Sequence, residues 1–210
     1  MSHTSAIVVC PECAATLTFH FESTNVIICS GCRSQVTRSG RITGEPVDAP
    51  TEDLCRLRTG TTGTYNGKTL TITGRLRFIF DHGGYVNLWH TEIGGVGSNW
   101  IAESYNSYAI VKEDEPGYPL SHLLMLKPGE KFTSKSIHYY LSSSETKTDL
   151  QGEGELPEEA PMEKIMYVTG TSPDRKVVHF RVFNKKEFRA YRGENISFPA
   201  LNFRNTRTHR

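Results

Sequence analysis

Gly60-Thr61-Thr62-Gly63-Thr64-Tyr65-Asn66-Gly67-Lys68-Thr69-Leu70-Thr71-Ile72-Thr73 is the stretch on which the fold turns. Asn66-Gly67 is the dipeptide best suited to a two-residue hairpin turn, whose central residues both need a positive φ. After it, Leu70 and Ile72 alternate with Thr69, Thr71 and Thr73, the period of a strand with one buried face. Gly67-Lys68-Thr69 is not a phosphate-binding loop, because the upstream glycine spacing and the following helix of that motif are missing. The stretch reads as a β-hairpin.

Strand-like runs continue at Arg75 to Phe80, Tyr85 to Thr91, Trp100 to Tyr105, Tyr108 to Lys112, Ile137 to Ser142, Ile165 to Thr169, Val177 to Phe183, Phe188 to Tyr191 and Ile196 to Phe198. They are short, rich in Thr, Val, Tyr and Phe, and punctuated by Gly, Pro, Asn and Asp. This pattern predicts an all-β barrel or sandwich rather than an alternating α/β fold. Gly94, Gly95 and Gly97 fall in one connection and read as a turn, not a nucleotide cradle. Leu57-Arg58-Thr59-Gly60 and Leu126-Lys127-Pro128-Gly129 each precede an alternating strand. As a repeat, this echo would give two small SH3-like barrel halves; the alternative is a coincidence between two common loop-to-strand patterns.

Ahead of the strands, Cys10 and Cys13, then Cys29 and Cys32, stand as two C-x2-C pairs. This spacing lets two tight turns offer four thiolates to one tetrahedral zinc. Leu17, Phe19 and Phe21 alternate with Thr16, Thr18 and His20, and Val26-Ile27-Ile28 follows, so the intervening residues form a hairpin and the unit a zinc ribbon. Gly31 is expected to take the positive φ that turns its knuckle. Four sulfurs leave no open position, so one structural Zn2+ is the expected cofactor, a disulfide or redox role being the alternative. Cys55 lies outside the spacing and reads as a plain buried thiol.

The expected organisation is a ribbon over residues 1–44, a linker over 45–53, a β domain over 54–203 opening near Leu54, and a basic tail over 204–210. Met1 to Val9 carries neither a basic n-region nor a useful apolar h-region, and zinc thiolates favour a reducing compartment, so the expected location is cytoplasmic.

The formal net charge of +1 conceals a polarity. Residues 164–210 hold eleven Lys and Arg against three Asp and Glu, while residues 145–163 hold seven acids against Lys147. Phe180, Phe183, Phe188 and Tyr191 interleave with Arg181, Arg189 and Arg192, a pattern open to nucleic acid, anionic lipid or an acidic protein. The competing reading is internal, the acidic stretch lying across the basic face. Four thiolates around one divalent zinc carry a formal charge of about −2, so the ribbon itself is poorly suited to phosphate.

Catalysis has little support. The eight histidines are scattered, with no H-E-x-x-H and no nucleophile elbow. His90 and Glu92 share a strand face and read as a solvated sheet surface. Glu103, after Trp100-Ile101, is the acid to examine first, a half-buried structural carboxylate being its plainer role. Trp89 and Trp100 belong to the β domain, with at least one expected inside it.

Leu57-x-x-Gly60-x-x-Gly63, the Gly67 hairpin, Ile72-Thr73-Gly74-Arg75, Asn87-Leu88-Trp89, Trp100-Ile101-Ala102-Glu103 and Gly152-Glu153-Gly154-Glu155-Leu156-Pro157 together resemble the bacterial family catalogued as domain of unknown function 4178. The similarity spans about residues 54–203 and departs where Leu88, rather than Glu, precedes Trp89. The resemblance implies no reaction; it implies an accessory component of a stress-linked or membrane-associated bacterial system.

The expected function is a non-enzymatic cytosolic adaptor or macromolecule-binding module with a structural zinc ribbon. Its expected partner is another protein, membrane-associated or not, and the chain is expected to carry no transmembrane segment of its own. Candidate binding residues are Trp89, Trp100, Glu103, Arg181, Arg189 and Arg192. The alternatives are a nucleic-acid binder using the basic carboxyl-terminal strands and an enzyme of unknown chemistry.

Overall fold

The computed structural model describes residues 5–51, 55–94 and 98–208. The expected domain start at Leu54 and the loop residues Gly95 and Gly97 lie outside the described residues. The chain begins with β1 (Ala6–Val9) and β2 (Thr16–Phe19), a separate antiparallel hairpin. Then come β3 (Val26–Ile28), β4 (Gln35–Thr37), β5 (Ile42–Thr43), β6 (Thr62–Tyr65), β7 (Lys68–Phe80), β8 (Tyr85–Ile93), β9 (Ser98–Ser104) and β10 (Ser107–Asp114). After a one-turn helix, α1 (Leu120–Leu123), follow β11 (Lys131–Ser134), β12 (Ile137–Leu156), β13 (Ile165–Thr171), β14 (Lys176–Val182) and β15 (Phe188–Ile196). No helix among the described residues is long and apolar enough to cross a membrane.

Eight of these strands close a ring. β7, β8, β9 and β10 form one meander and β12, β13, β14 and β15 a second; β10 pairs antiparallel with β15, and β7 antiparallel with β12. Closure leaves the ring no free edge at which another chain could pair. At the β7–β12 seam Gly74 lies opposite Gly154. A Cβ on Gly74 would stand 2.3 Å from the Glu155 carbonyl oxygen, so only glycine lets the backbones approach this closely.

The echo seen in the sequence is the symmetry of this ring. The Gly60 N–H donates to the Ile72 carbonyl at 2.8 Å, and the Gly129 N–H donates to the Leu141 carbonyl at 2.8 Å. Asn66-Gly67 joins β6 to β7, and Lys135-Ser136, at the equivalent position, joins β11 to β12; all four residues have positive φ. The sequence hairpin signal was strong at Asn-Gly and silent at Lys-Ser, which is why β11 was not foreseen. Each half then carries an irregularity at the matching place, between Ile72 and Gly74 and between Leu141 and Ser143.

Strand alternation sorts the apolar residues into an interior and two outer layers. Leu76, Phe78, Leu88, Trp100, Val111 and Tyr167 belong to the shared interior. Leu57, Leu70, Trp89, Ile101 and Ile110 form an outer layer on the first half, covered by Phe198, Leu201 and Phe203. Leu141, Val168, Val178 and Phe180 form the corresponding layer on the second half, covered by Leu123 and Phe132. The two halves therefore each keep a small core of their own while contributing four strands to one barrel.

Several expected boundaries move. β12 runs twenty residues, to Leu156, and takes in the start of the acidic Gly152 to Glu163 stretch that reads as a loop in the sequence. Its polar residues are accommodated because it pairs successively with β11, β13, β7 and β3. Ile196 to Phe198 is not an independent strand: β15 ends at Ile196, and a 3-10 turn covers Phe198–Leu201. The expected linker is docked at Val47, which is fully buried, and at Asp48, which bridges to Gln151. The expected basic tail is pinned too, the Arg204 N–H donating to the Thr62 carbonyl and the Arg207 N–H to the Arg56 carbonyl, both at 2.8 Å.

Candidate metal centre and the barrel interior

Both cysteine knuckles have the same backbone. The Cys10 N–H donates to the Ala15 carbonyl and the Ala14 N–H to the Cys10 carbonyl; in the second knuckle the Cys29 N–H donates to Ser34 and the Arg33 N–H to Cys29. Ala14 (φ 59°) and Arg33 (φ 70°) take the left-handed conformation, so the expectation that Gly31 would do so is corrected. What Gly31 supplies is space: a Cβ there would lie 3.4 Å from the Cys13 sulfur.

The four sulfurs converge. Cys10 and Cys32 are 3.5 Å apart, as are Cys13 and Cys29, and all four Sγ atoms lie within 4.8 Å of one another. A tetrahedral ion with metal–sulfur bonds of about 2.3 Å needs sulfurs about 3.8 Å apart, so the set could hold a metal ion with little adjustment. Crowding makes the tetrad a poor acid without a cation. Ser34 draws the Cys32 thiol down to about 6, whereas Cys13, despite the opposing Ala15 amide, is pushed up to about 12 by hydrogen bonds shared with Cys29 and Cys32. A divalent ion would relieve that repulsion.

The centre is joined to the barrel. β3 pairs with β12, placing Ile28 in the barrel interior, and Arg33 donates to the carbonyls of Val47, Asp48 and Gly152. Glu155 on β12 accepts from the His20 N–H at 3.0 Å and the Thr24 hydroxyl at 2.7 Å.

Most residues expected to bind a macromolecule are interior, and that expectation is corrected for four of them. Trp89 and Trp100 are both buried, Trp89 in the outer layer and Trp100 inside the ring. Glu103 is a buried hub: it accepts from the Cys55 thiol at 2.7 Å, the Trp89 indole N–H at 2.7 Å, the Asn87 amide at 3.2 Å and the Tyr108 hydroxyl at 3.0 Å. Burial, then the neighbouring Glu103 charge, pushes the Cys55 thiol up, so it stays protonated and unreactive. Arg181 is buried with its guanidinium 4.1 Å from the Tyr191 ring centre and 5.0 Å from that of Trp100. Arg192 is held by Asp114 and by the carbonyls of Glu115 and Pro116. Arg189 pairs with Glu158 at 2.7 Å, which is the internal pairing of basic face and acidic segment that the charge polarity allowed.

Two further features were unforeseen. Arg75 and Arg77 alternate with Leu76 and Phe78, and both are buried beside Glu103, Arg75 lying over the Trp89 ring. His90 is also buried rather than solvated, its Nδ1 2.6 Å from the Thr73 hydroxyl and its Nε2 2.9 Å from that of Ser98. Glu92 meets the Ser23 hydroxyl of the ribbon.

The family model described as Domain of unknown function (DUF4178) matches residues 58–198, the whole ring with both of its halves. The chain belongs to the DUF4178 family. No curated protein and no solved structure matches it. In this DUF4178 chain the cysteine ribbon precedes the matched region and packs onto it through β3.

Two buried imidazoles give this DUF4178 barrel a defined acid limit. Burial lowers His90 to about 4 and His179 to about 3, so both are neutral in the folded chain while the unfolded chain takes up protons below about 6.5. The unfolded state then binds more protons, and stability falls as pH drops from about 6.5 toward those folded values. The expected loss between neutral pH and pH 5 is on the order of 2 kcal/mol for each histidine. Urea unfolding at pH 7.5, 6 and 5 reads it directly; a flat profile across this range would show that neither imidazole is held neutral.

Proposed function

We propose that this chain is a non-catalytic adaptor whose metal is zinc, held structurally, and whose partner is an extended apolar segment of another protein. The observation that carries the reading is the amino-terminal hairpin. Among the described residues β1 pairs only with β2, outside the large sheet, and its Ile7 and Val9 are 68% and 57% exposed. A free strand edge bearing alternate apolar side chains suits strand addition by a partner, whose backbone would pair with β1 and whose side chains would cover Ile7 and Val9.

The four-thiolate donor set favours zinc among common divalent ions and leaves no position for substrate or water. Zinc thiolates also fit the proposed cytoplasmic setting. The proposed setting is that of an accessory component of a bacterial stress-linked or membrane-associated system. The nucleic-acid alternative is weaker because Arg181, Arg189 and Arg192 all engage groups within the chain.

An Ile7→Lys/Val9→Lys double variant tests the reading. The tagged chain is used to capture partners with and without nuclease, and the captured protein is identified and mixed as a pure component. The variant is expected to weaken that purified pairing more than tenfold while keeping its metal and its unfolding temperature. Equal affinity in the variant, or capture that nuclease abolishes, would overturn it.

A further inference from the structure

The ring does not fill its own interior. A cavity of about 500 Å³ opens at the end carrying the β7–β8, β9–β10 and β13–β14 turns, and all eight ring strands contribute to its lining. This is within the size range of small-molecule sites, which recur in the mouths of β-barrels. The opposite end is occupied by Ile28, Val47, Leu156 and Ala160, so the ring is a cup rather than a channel. Phe80, Val86 and Val177 supply apolar wall, and Ala102 and Ala109, on adjacent strands, leave the space that larger side chains would fill.

Ser104, Ser143, Thr169 and Asn195 add polar groups to the lining, and one buried pair, Tyr167 and His179, faces the cavity as well. His179 is 6% exposed, and its Nδ1 lies 2.6 Å from the Tyr167 hydroxyl. Burial raises the phenol and lowers the imidazole, so both stay neutral. Among the described residues the Tyr167 hydroxyl is paired with Nδ1, and with the phenol donating to it the imidazole proton resides on Nε2. That Nε2–H has no partner among the described residues, although His179 lines the cavity. It is open to the cavity, where a ligand oxygen would accept from it.

The nearby charges set the ligand's polarity. Arg181, two residues along the same strand and 3% exposed, has no carboxylate paired with it among the described residues, and its charge is felt at His179. At the mouth, Asp81 and Glu145 flank His82 at 3.0 and 3.2 Å. An acceptor oxygen is therefore favoured at the inner end, and an ammonium group is disfavoured there.

We propose that the barrel is a receptor cup for a small monocarboxylate with a hydrocarbon or aryl body, which enters carboxylate-first to meet the His179 Nε2–H. The site is distinct from the strand edge at Ile7 and Val9 and does not depend on the proposed protein partner.

The test uses the full metal-loaded chain and three ten-carbon probes, decanoate, decan-1-ol and decylamine, each below its aggregation limit, in calorimetry and in displacement of 1-anilinonaphthalene-8-sulfonate. Decanoate is expected to bind with one-to-one stoichiometry and at least tenfold more tightly than decylamine. Ala109→Phe, which fills the cup, should weaken every probe more than tenfold; Ala102→Leu serves the same purpose should Ala109→Phe fail to fold. His179→Leu should abolish the preference for decanoate while retaining binding of decan-1-ol, and His179→Gln, which keeps an N–H donor, should restore much of it. Absence of saturable binding, binding indifferent to the cup-filling variants, or a decanoate preference that survives His179→Leu would overturn the proposal.

Discussion

A Cys29→Ser chain is expected to lose its metal and to unfold at least 10 °C below the parent. Cys29 is fully buried in the knuckle, and a hydroxyl is a much poorer ligand than a thiolate for a soft, four-sulfur site. Structural zinc contributes about 10–16 kcal/mol of binding free energy in isolated finger peptides, so a modest share transmitted to this fold is enough. For a chain of this size each kcal/mol corresponds to about 2–4 °C. The damage should not stop at the ribbon. Ile28 lies in the barrel interior and β3 pairs with the end of β12, so hydrogen exchange should quicken around Leu156 and Val47 as well as before residue 40. Metal analysis and a melting curve suffice, with Cys55→Ser as the control that keeps its metal. Stoichiometric metal in Cys29→Ser, or an unchanged melting temperature, would refute the assignment.

Glu103→Ala is expected to cost about 3–5 kcal/mol, because removing one member of a buried charged network leaves its partners uncompensated. The Cys55 thiol, the Trp89 indole, the Asn87 amide and the Tyr108 hydroxyl all lose an acceptor. The positive charges of Arg75 and Arg77 lose a nearby carboxylate at the same time. Glu103→Gln should fall between, since its amide keeps one acceptor oxygen but brings two donors into a site already supplied with donors. Denaturant unfolding of the three chains orders them. A cost below about 1 kcal/mol for Glu103→Ala would place the hub in the range of ordinary surface changes, and the network would then not be structural.

The four-cysteine cluster and the fold class were legible because each has a local signature. Four cysteines at ribbon spacing specify their chemistry within a few residues, and alternating strands around Asn66-Gly67 specify a hairpin without reference to the rest of the chain. The second hairpin was illegible for the same reason: Lys135-Ser136 adopts the same turn with no residue that advertises it. Polar strands were misread most. Gly152 to Glu163 looked like an acidic loop, yet its first residues, to Leu156, are strand, because β7 and β3 take their backbone groups.

Sequence alone determined what short-range chemistry can determine, namely a four-cysteine ribbon and an all-β chain, and left the repeat of a loop-to-strand unit open. Which way each side chain faces was decided only by ring closure, since joining β7 to β12 and β10 to β15 gives one face of every ring strand a common interior. That is how Arg181 came to be buried and how His179 came to line a cavity built from strands scattered along the chain, whereas Arg75, Arg77 and Glu103 lie on the opposite face of their strands, buried with the outer layer around Trp89. A strand's local pattern reports only that its two faces differ, whereas the identity of the neighbours on each face depends on contacts between residues far apart in sequence.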